Sequence, residues 1–285
     1  MNLKTKMILL SPYLGLKLLG IMRRSKQYQK SPAMFSAQDR HDWLLARAKK
    51  FLKIMKINVV VKGYENLPKN TAILYPNHVS DLDPVIMMAA LAKQTKDKNV
   101  NNKMTTFLAK QELQDHKTTR RILDLIDTFF INRKSLRKTL ITMDSLGTFA
   151  KENKSYAVIF PEGTRSKTSE LLDFKPGAFK IAKSKFYKIV PVTINNSGLA
   201  ADPKRCNSID VEVIFHKPIN DLSVQRSNTI EIAQYVQRTV ESQYLKQDVY
   251  VSEKVKKENP NKLSYAEKQE RKEAKKQAKL EKKGL

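Results

Sequence analysis

The sequence predicts an α/β domain: a mixed, largely parallel sheet flanked by helices, with helices of a different texture ahead of it. Two observations carry the prediction. From position 57, short apolar runs rich in β-branched residues fall at 57–61, 72–75, 105–108, 128–131, 156–160, 189–194 and 211–215. Short apolar, β-branched runs of this kind read as strands. Helix-like segments at 84–93, 118–125, 136–151, 178–184 and 229–245 are interspersed with them. Strand and helix in alternation make a sheet with helices on its faces, and the loops beyond its strand ends usually hold ligands.

Ahead of the domain, Lys4 and Lys6 precede an apolar run from Met7 to Met22, interrupted by Ser11-Pro12 and Lys17 and closed by Arg23-Arg24. No small-residue cleavage site follows, and cations close the far side, so the run does not read as a removed signal peptide. At about 1.5 Å per residue, one helix over this run falls short of the roughly 30 Å hydrocarbon core. The expectation is an interfacial or re-entrant helix with Lys17 snorkelling and the flanking cations facing an anionic membrane surface. A buried helix of the soluble domain is the alternative.

Ser36 and Asp39 have capping-box spacing and open a helix that runs to about Lys56. Its stripe of Trp43, Leu44, Ala48, Phe51, Leu52 and Met55 is backed by Arg47, Lys49, Lys50, Lys53 and Lys56. Such a stripe packs on a core or docks on membrane beside the neighbouring apolar run. Residues 1–56 are therefore expected to form a membrane-associating helical region and 57–250 the domain that carries the chemistry. Residues 251–285 read as a basic Lys/Glu-rich tail, disordered or a solitary helix, with almost nothing to bury.

The chain has 285 residues and 41% hydrophobic content, enough for a real core. Its 54 Lys and Arg outweigh 28 Asp and Glu for a net charge of +26, which calls for an anionic counterpart: nucleic acid, acidic lipid or a phosphorylated substrate. No basic-aromatic, helix-turn-helix or zinc-finger signature is present, so no specific nucleic acid is expected. Cys206 alone forms no internal disulfide, and His41, His78, His116 and His216 lack zinc-site spacing. A reducing, cytoplasmic setting without metal or cofactor is the expectation.

Two strings carry the chemistry. Asn77-His78-Val79-Ser80-Asp81-Leu82-Asp83-Pro84 follows the run at 72–75, where Pro76 ends the strand and Pro84 suits the first turn of a helix, with Asp83 as its N-cap. His78 and Asp83 would lie on different faces of one helix and can meet only across a turn. If they meet, the carboxylate fixes the imidazole tautomer, and the other ring nitrogen can take a proton from a hydroxyl. Two arrangements stay open on the residues alone: this pair, or an Asp83 that only caps its helix beside a His78 bonded to backbone. Asp81 is a second candidate partner.

Downstream, Phe160-Pro161-Glu162-Gly163-Thr164-Arg165-Ser166 follows the run at 156–160. Gly163 permits close approach of a ligand to the backbone, Thr164 offers a hydroxyl, and Arg165 can hold phosphate oxygens bidentately. The bland alternative is an ordinary turn with an exposed arginine.

Together the strings resemble the glycerolipid acyltransferase family, whose members share an Asn-His-x-x-x-x-Asp block and a Phe-Pro-Glu-Gly-Thr-Arg-Ser block; the likeness is close to its bacterial 1-acylglycerol-3-phosphate acyltransferases. It spans roughly residues 59–215. Phe130-Ile131-Asn132-Arg133 is similar to the family's second block and Val190-Pro191-Val192 to its fourth, while Asp127 stands where the second block often begins with Gly.

The resemblance implies that His78, oriented by Asp83, deprotonates the 2-hydroxyl of a lysophosphatidic acid, which attacks the thioester of acyl-CoA or acyl-carrier protein directly. It further implies that Arg133, Glu162, Gly163, Thr164 and Arg165 position the phosphate end, with Lys110 as a further substrate-side contact. A bilayer acceptor and a cytoplasmic donor suit an enzyme held at the inner membrane face by its N-terminal helices. Another glycerophosphate or lysophospholipid acceptor is the neighbouring reading, and a non-catalytic membrane-surface or nucleic-acid-binding protein the reading from a different class.

Overall fold

The computed structural model describes residues 1–133 and 135–251; the remainder of the tail expected at 251–285 lies outside the described residues. All seven apolar runs are strands: β1 (Ile57–Lys62), β2 (Ile73–Pro76), β3 (Thr105–Lys110), β4 (Phe129–Ile131), β5 (Tyr156–Val158), β6 (Ile189–Asn195) and β7 (Ile209–Phe215). They form one sheet in the order β1-β7-β6-β2-β5-β3-β4. Every neighbouring pair is parallel except β6–β7, so the sheet is mixed and largely parallel. β2 sits near the centre, with Ile73 opposite Ala157 of β5 on one side and Ile189 of β6 on the other.

Helices cover both faces, which is why the central strands read as unbroken apolar runs. Ahead of the sheet come α1 (Leu3–Leu9), α2 (Ser11–Lys30) and α3 (Ala37–Ile54). Within it come α4 (Asp83–Ala90), α5 (Lys117–Asp124), α6 (Leu136–Glu152), α7 (Lys180–Ser184), α8 (Asp221–Arg226) and α9 (Thr229–Glu241). Alternate residues of β2 face opposite ways, as the two-residue strand period requires. Leu74 joins the core under α3 and α4, whereas Ile73 and Tyr75 join the core under α6, α7 and α9.

Several elements depart from expectation. The run at 7–22 is not one helix: α1 and α2 meet at a bend of 68°. Pro12, at the start of α2, lacks the N–H that a continuous helix would use and clashes with the preceding turn. Among the described residues no single helix is long and apolar enough to cross a membrane, although the bent pair together has the length and composition. The segment at 178–184 is split, with a 3-10 turn at Pro176–Phe179 running into α7. Helix α8 was not foreseen; six residues give less than two turns of periodicity to read.

The Ser36 cap of α3 is present, its hydroxyl accepting from the Asp39 N–H at 3.0 Å. The whole stripe from Trp43 to Met55 belongs to the core of the domain, and Trp43 lies beneath the Arg47 guanidinium at 3.2 Å from its ring centre. Exposed apolar surface in the N-terminal region is instead concentrated on α1 and α2, where Ile8, Leu9, Leu16 and Leu19 are 62%, 65%, 68% and 65% exposed.

Candidate active site

The strands β2, β5, β3 and β4 are neighbours and run parallel, so their C-terminal ends lie along one sheet edge. That edge gathers the residues that the sequence singled out: His78 after β2, the block at 160–166 after β5, Lys110 at the end of β3 and Arg133 just beyond β4. The loop following β6 leaves from the same edge, because β6 runs parallel to β2. Helix α1 is tied to that loop, with Leu3 N–H donating to the Arg205 carbonyl at 2.7 Å and Lys4 N–H to that of Pro203 at 2.9 Å.

His78 and Asp83 meet. Nδ1 of His78 lies 2.8 Å from Oδ2 of Asp83, whose side chain is fully buried. The expected capping role is corrected: Asp83 is the first residue of α4, and Leu82 holds the N-cap position without a side-chain bond. Its carboxylate turns back into the loop, where Oδ2 also accepts from Val79 and Ser80 N–H, each at 2.8 Å. Three donors on one oxygen fix the carboxylate, and the carboxylate fixes the ring. A neutral imidazole bonded in this way carries its proton on Nδ1 and presents Nε2 as an acceptor. The His78 ring is stacked on Phe160, with centres 4.2 Å apart and planes 28° apart, and 17% of the side chain is exposed.

The second block holds the backbone of the first. His78 N–H donates to Oε1 of Glu162 at 2.6 Å, and Leu172 N–H donates to Oε2 at 3.1 Å. On the other side of His78, its carbonyl accepts from Ser166 N–H at 2.8 Å. Glu162 is only 1% exposed, with both oxygens turned to backbone donors, so it braces the loops and does not face a phosphate. This corrects its expected substrate-binding role, and a carboxylate is in any case a poor neighbour for a phosphate. Burial pushes its carboxyl up to about 7 against the pull of the two N–H groups.

Gly163 has φ of 73°, the left-handed region that glycine enters without a Cβ penalty, and Thr164 and Arg165 are exposed beyond it. Arg165 Nη1 is 2.5 Å from Oδ2 of Asp81, an exposed ion pair that links the two blocks. Asp81 is thus a partner of Arg165, not of His78. Lys110 at the end of β3 and Arg133 just beyond β4 are also exposed.

Three more residues of the two strings carry structural weight here. The Asn77 side chain bridges β2 to β6, donating to the Ile194 carbonyl at 3.0 Å and accepting from its N–H at 2.7 Å. Phe160 supplies the stacking face and Ser166 the clasp on the His78 carbonyl. All three stand inside the two strings, where position next to the catalytic candidates was the available signal.

The family model described as Acyltransferase matches residues 58–195, which takes in both blocks and the strands that carry them. A probable 1-acyl-sn-glycerol-3-phosphate acyltransferase of Mycoplasma pneumoniae is 32% identical over 247 residues, covering 84% of this chain and 90% of the relative. The protein of the same description from Mycoplasma genitalium is 30% identical, covering 85% and 89%. Among solved structures, the 1-acyl-sn-glycerophosphate acyltransferase PlsC of Thermotoga maritima superposes with a TM-score of 0.59 at 22% identity, over 84% of this chain and 92% of that one. The fold is therefore the one that PlsC has. With a His/Asp pair on a sheet edge and relatives matched over nearly their full length, this chain belongs to the acyltransferase family.

Proposed function

We propose that the protein transfers a long-chain acyl group from acyl-CoA or acyl-carrier protein to the 2-hydroxyl of 1-acyl-glycerol-3-phosphate, giving phosphatidic acid. The observation that carries this reading is the 2.8 Å bond from His78 Nδ1 to a buried, triply bonded Asp83, with Arg165, Lys110 and Arg133 along the same sheet edge. Nε2 of His78 removes the hydroxyl proton as the oxygen attacks the thioester carbonyl. Collapse of the tetrahedral adduct breaks the carbon–sulfur bond, and the imidazolium returns its proton to the departing thiolate. Asp83 stabilises the imidazolium between these steps. No acyl-enzyme forms, because the acceptor oxygen is itself the nucleophile.

Arg165, with Lys110 and Arg133, holds the acceptor phosphate and so keeps the hydroxyl against the base; Thr164 and the Gly163 backbone complete the contact. Such positioning is worth as much as proton removal. The exposed apolar residues of α1 and α2, and the net charge of +26, support residence on the cytoplasmic face of the membrane, where a bilayer acceptor and a cytoplasmic donor meet.

The test is purified protein in lipid vesicles with 1-acyl-glycerol-3-phosphate and either long-chain acyl thioester, phosphatidic acid being measured. The His78→Ala variant is expected to lose about a hundredfold or more with the preferred donor, the usual span for a removed general base. Equal rates in the two proteins would sink the mechanism, and the donor that turns over names the physiological class.

A further inference from the structure

Asp127, in the turn from α5 into β4, has φ of 48°, a region that costs a non-glycine residue about 1 kcal/mol or more. Aspartate enters this region more readily than most side chains, and here its carboxylate is held through both oxygens. Oδ2 lies 2.8 Å from Nη1 of Arg40, which is 5% exposed, and Oδ1 accepts from the Tyr28 hydroxyl at 3.4 Å. The same Arg40 nitrogen donates to the Leu125 carbonyl at 3.1 Å, and the guanidinium lies 4.1 Å over the Tyr28 ring. The Asp127 carbonyl is held in turn by the Thr106 hydroxyl of β3 at 2.7 Å.

This clamp joins three elements. Tyr28 is on α2, whose earlier residues Leu16 and Leu19 are exposed, and Arg40 is on α3. Asp127 lies two residues ahead of β4, and Arg133 stands two residues beyond the other end of that strand. A second bond reinforces the joint, from Gln29 of α2 to Asp124 of α5 at 2.9 Å.

We propose that Tyr28, Arg40 and Asp127 are positioning residues that fix the lipid-facing helices relative to the strand end presenting Arg133, and so set the acceptor-phosphate site at the height of the bilayer headgroups. The inference rests on the membrane acceptor proposed above. A bilayer-embedded acceptor can use the site only at that height, whereas a water-soluble one reaches it regardless.

The test uses full-length protein on phosphatidylglycerol/phosphatidylcholine vesicles with a long-chain acceptor embedded in them, against a six-carbon 1-acyl-glycerol-3-phosphate free in solution. Asp127→Gly suits the left-handed backbone and removes only the carboxylate; Tyr28→Phe removes only a hydroxyl and keeps the test decisive if the first variant folds poorly. Asp127→Gly is expected to raise KM for the embedded acceptor about tenfold with kcat nearly unchanged, and to leave kcat/KM for the soluble acceptor within about twofold, as displacement without damage requires. Tyr28→Phe is expected to shift KM in the same direction by less.

Equal losses on both acceptors would reduce the clamp to general support of the domain, and no change in either variant would overturn it as well. Hydrogen exchange gives a readout independent of turnover: vesicle binding is expected to protect the amides of β4 in the wild type and not in Asp127→Gly. A wild type that acylates neither acceptor refutes the proposed reaction, while the exchange result still decides the clamp.

Discussion

Glu162 never meets the imidazole; it grips the backbone amide of the residue that carries it. That placement makes its titration a stability effect. Burial raises its carboxyl from the ordinary 4.5 to about 7, so folding favours the protonated form. The contribution is fully present below pH 4.5 and is lost as pH rises through about 7. Urea unfolding of the wild type is therefore expected to lose on the order of 3 kcal/mol across this window, beyond any loss shown by Glu162→Gln, whose amide does not titrate. The amide turns its NH2 group toward one of two backbone donors, so the variant starts about 1–3 kcal/mol less stable at pH 5. Parallel pH profiles for the two proteins would show that Glu162 does not titrate in this range. The sequence allows His78 and Asp83 to meet, because a turn between them is written in Pro76 and Pro84, but on the residues alone it leaves open an Asp83 that only caps its helix. It did not reveal what Glu162 or Asp81 bond to, since those partners are backbone groups and side chains some 84 positions away, joined only when β2 and β5 pair.

At the scale of elements, the joint between β2 and β6 decides whether the His78 loop is held. The parallel ladder ends at Pro76 opposite Val192, and the Asn77 amide extends it by pairing with both backbone groups of Ile194. Asn77→Ala leaves the buried Ile194 N–H without that acceptor and its carbonyl with the 3.4 Å bond from Gln247. The expected cost is about 1–3 kcal/mol in denaturant unfolding, that of one buried donor left without a partner. A loss under about 0.5 kcal/mol, the level of an ordinary surface change, would show that the joint is not fastened by Asn77. The strands themselves were legible because both sheet faces are covered, so each run is apolar and short. The bend between α1 and α2 is written in Pro12, although in sequence a proline there looks the same whether it interrupts one helix or separates two. The start of α9 at Thr229 is the one expected, but its C-terminal end is less legible: residues beyond Glu241 continue the helical pattern in sequence, while Leu245 N–H is drawn to the Asn195 side chain at 2.9 Å.

Across the whole molecule, charge and apolar exposure are arranged together. The core absorbs the stripe of α3, so most of the exposed apolar side chains of the N-terminal helices are on α1 and α2, beside a loop that leaves the sheet edge where His78 sits. The residues Ile8, Leu9, Leu16 and Leu19 contribute little to the folded core, being 62% exposed or more. Replacing all four by Gln is therefore expected to leave the thermal unfolding midpoint nearly unchanged. On a membrane each side chain can contribute about 1 kcal/mol or more by burial, so together they are worth well over a tenfold change in vesicle affinity. Sedimentation with phosphatidylglycerol vesicles measures it. Salt separates the two forces: cation attraction to anionic lipid weakens as ionic strength rises, while apolar burial persists. The wild type is expected to keep part of its binding at about 0.5 M salt, where the Debye length has shrunk well below 10 Å, and the four-residue variant to keep almost none. Undiminished binding by the variant at both salt concentrations would move the membrane contact away from α1 and α2.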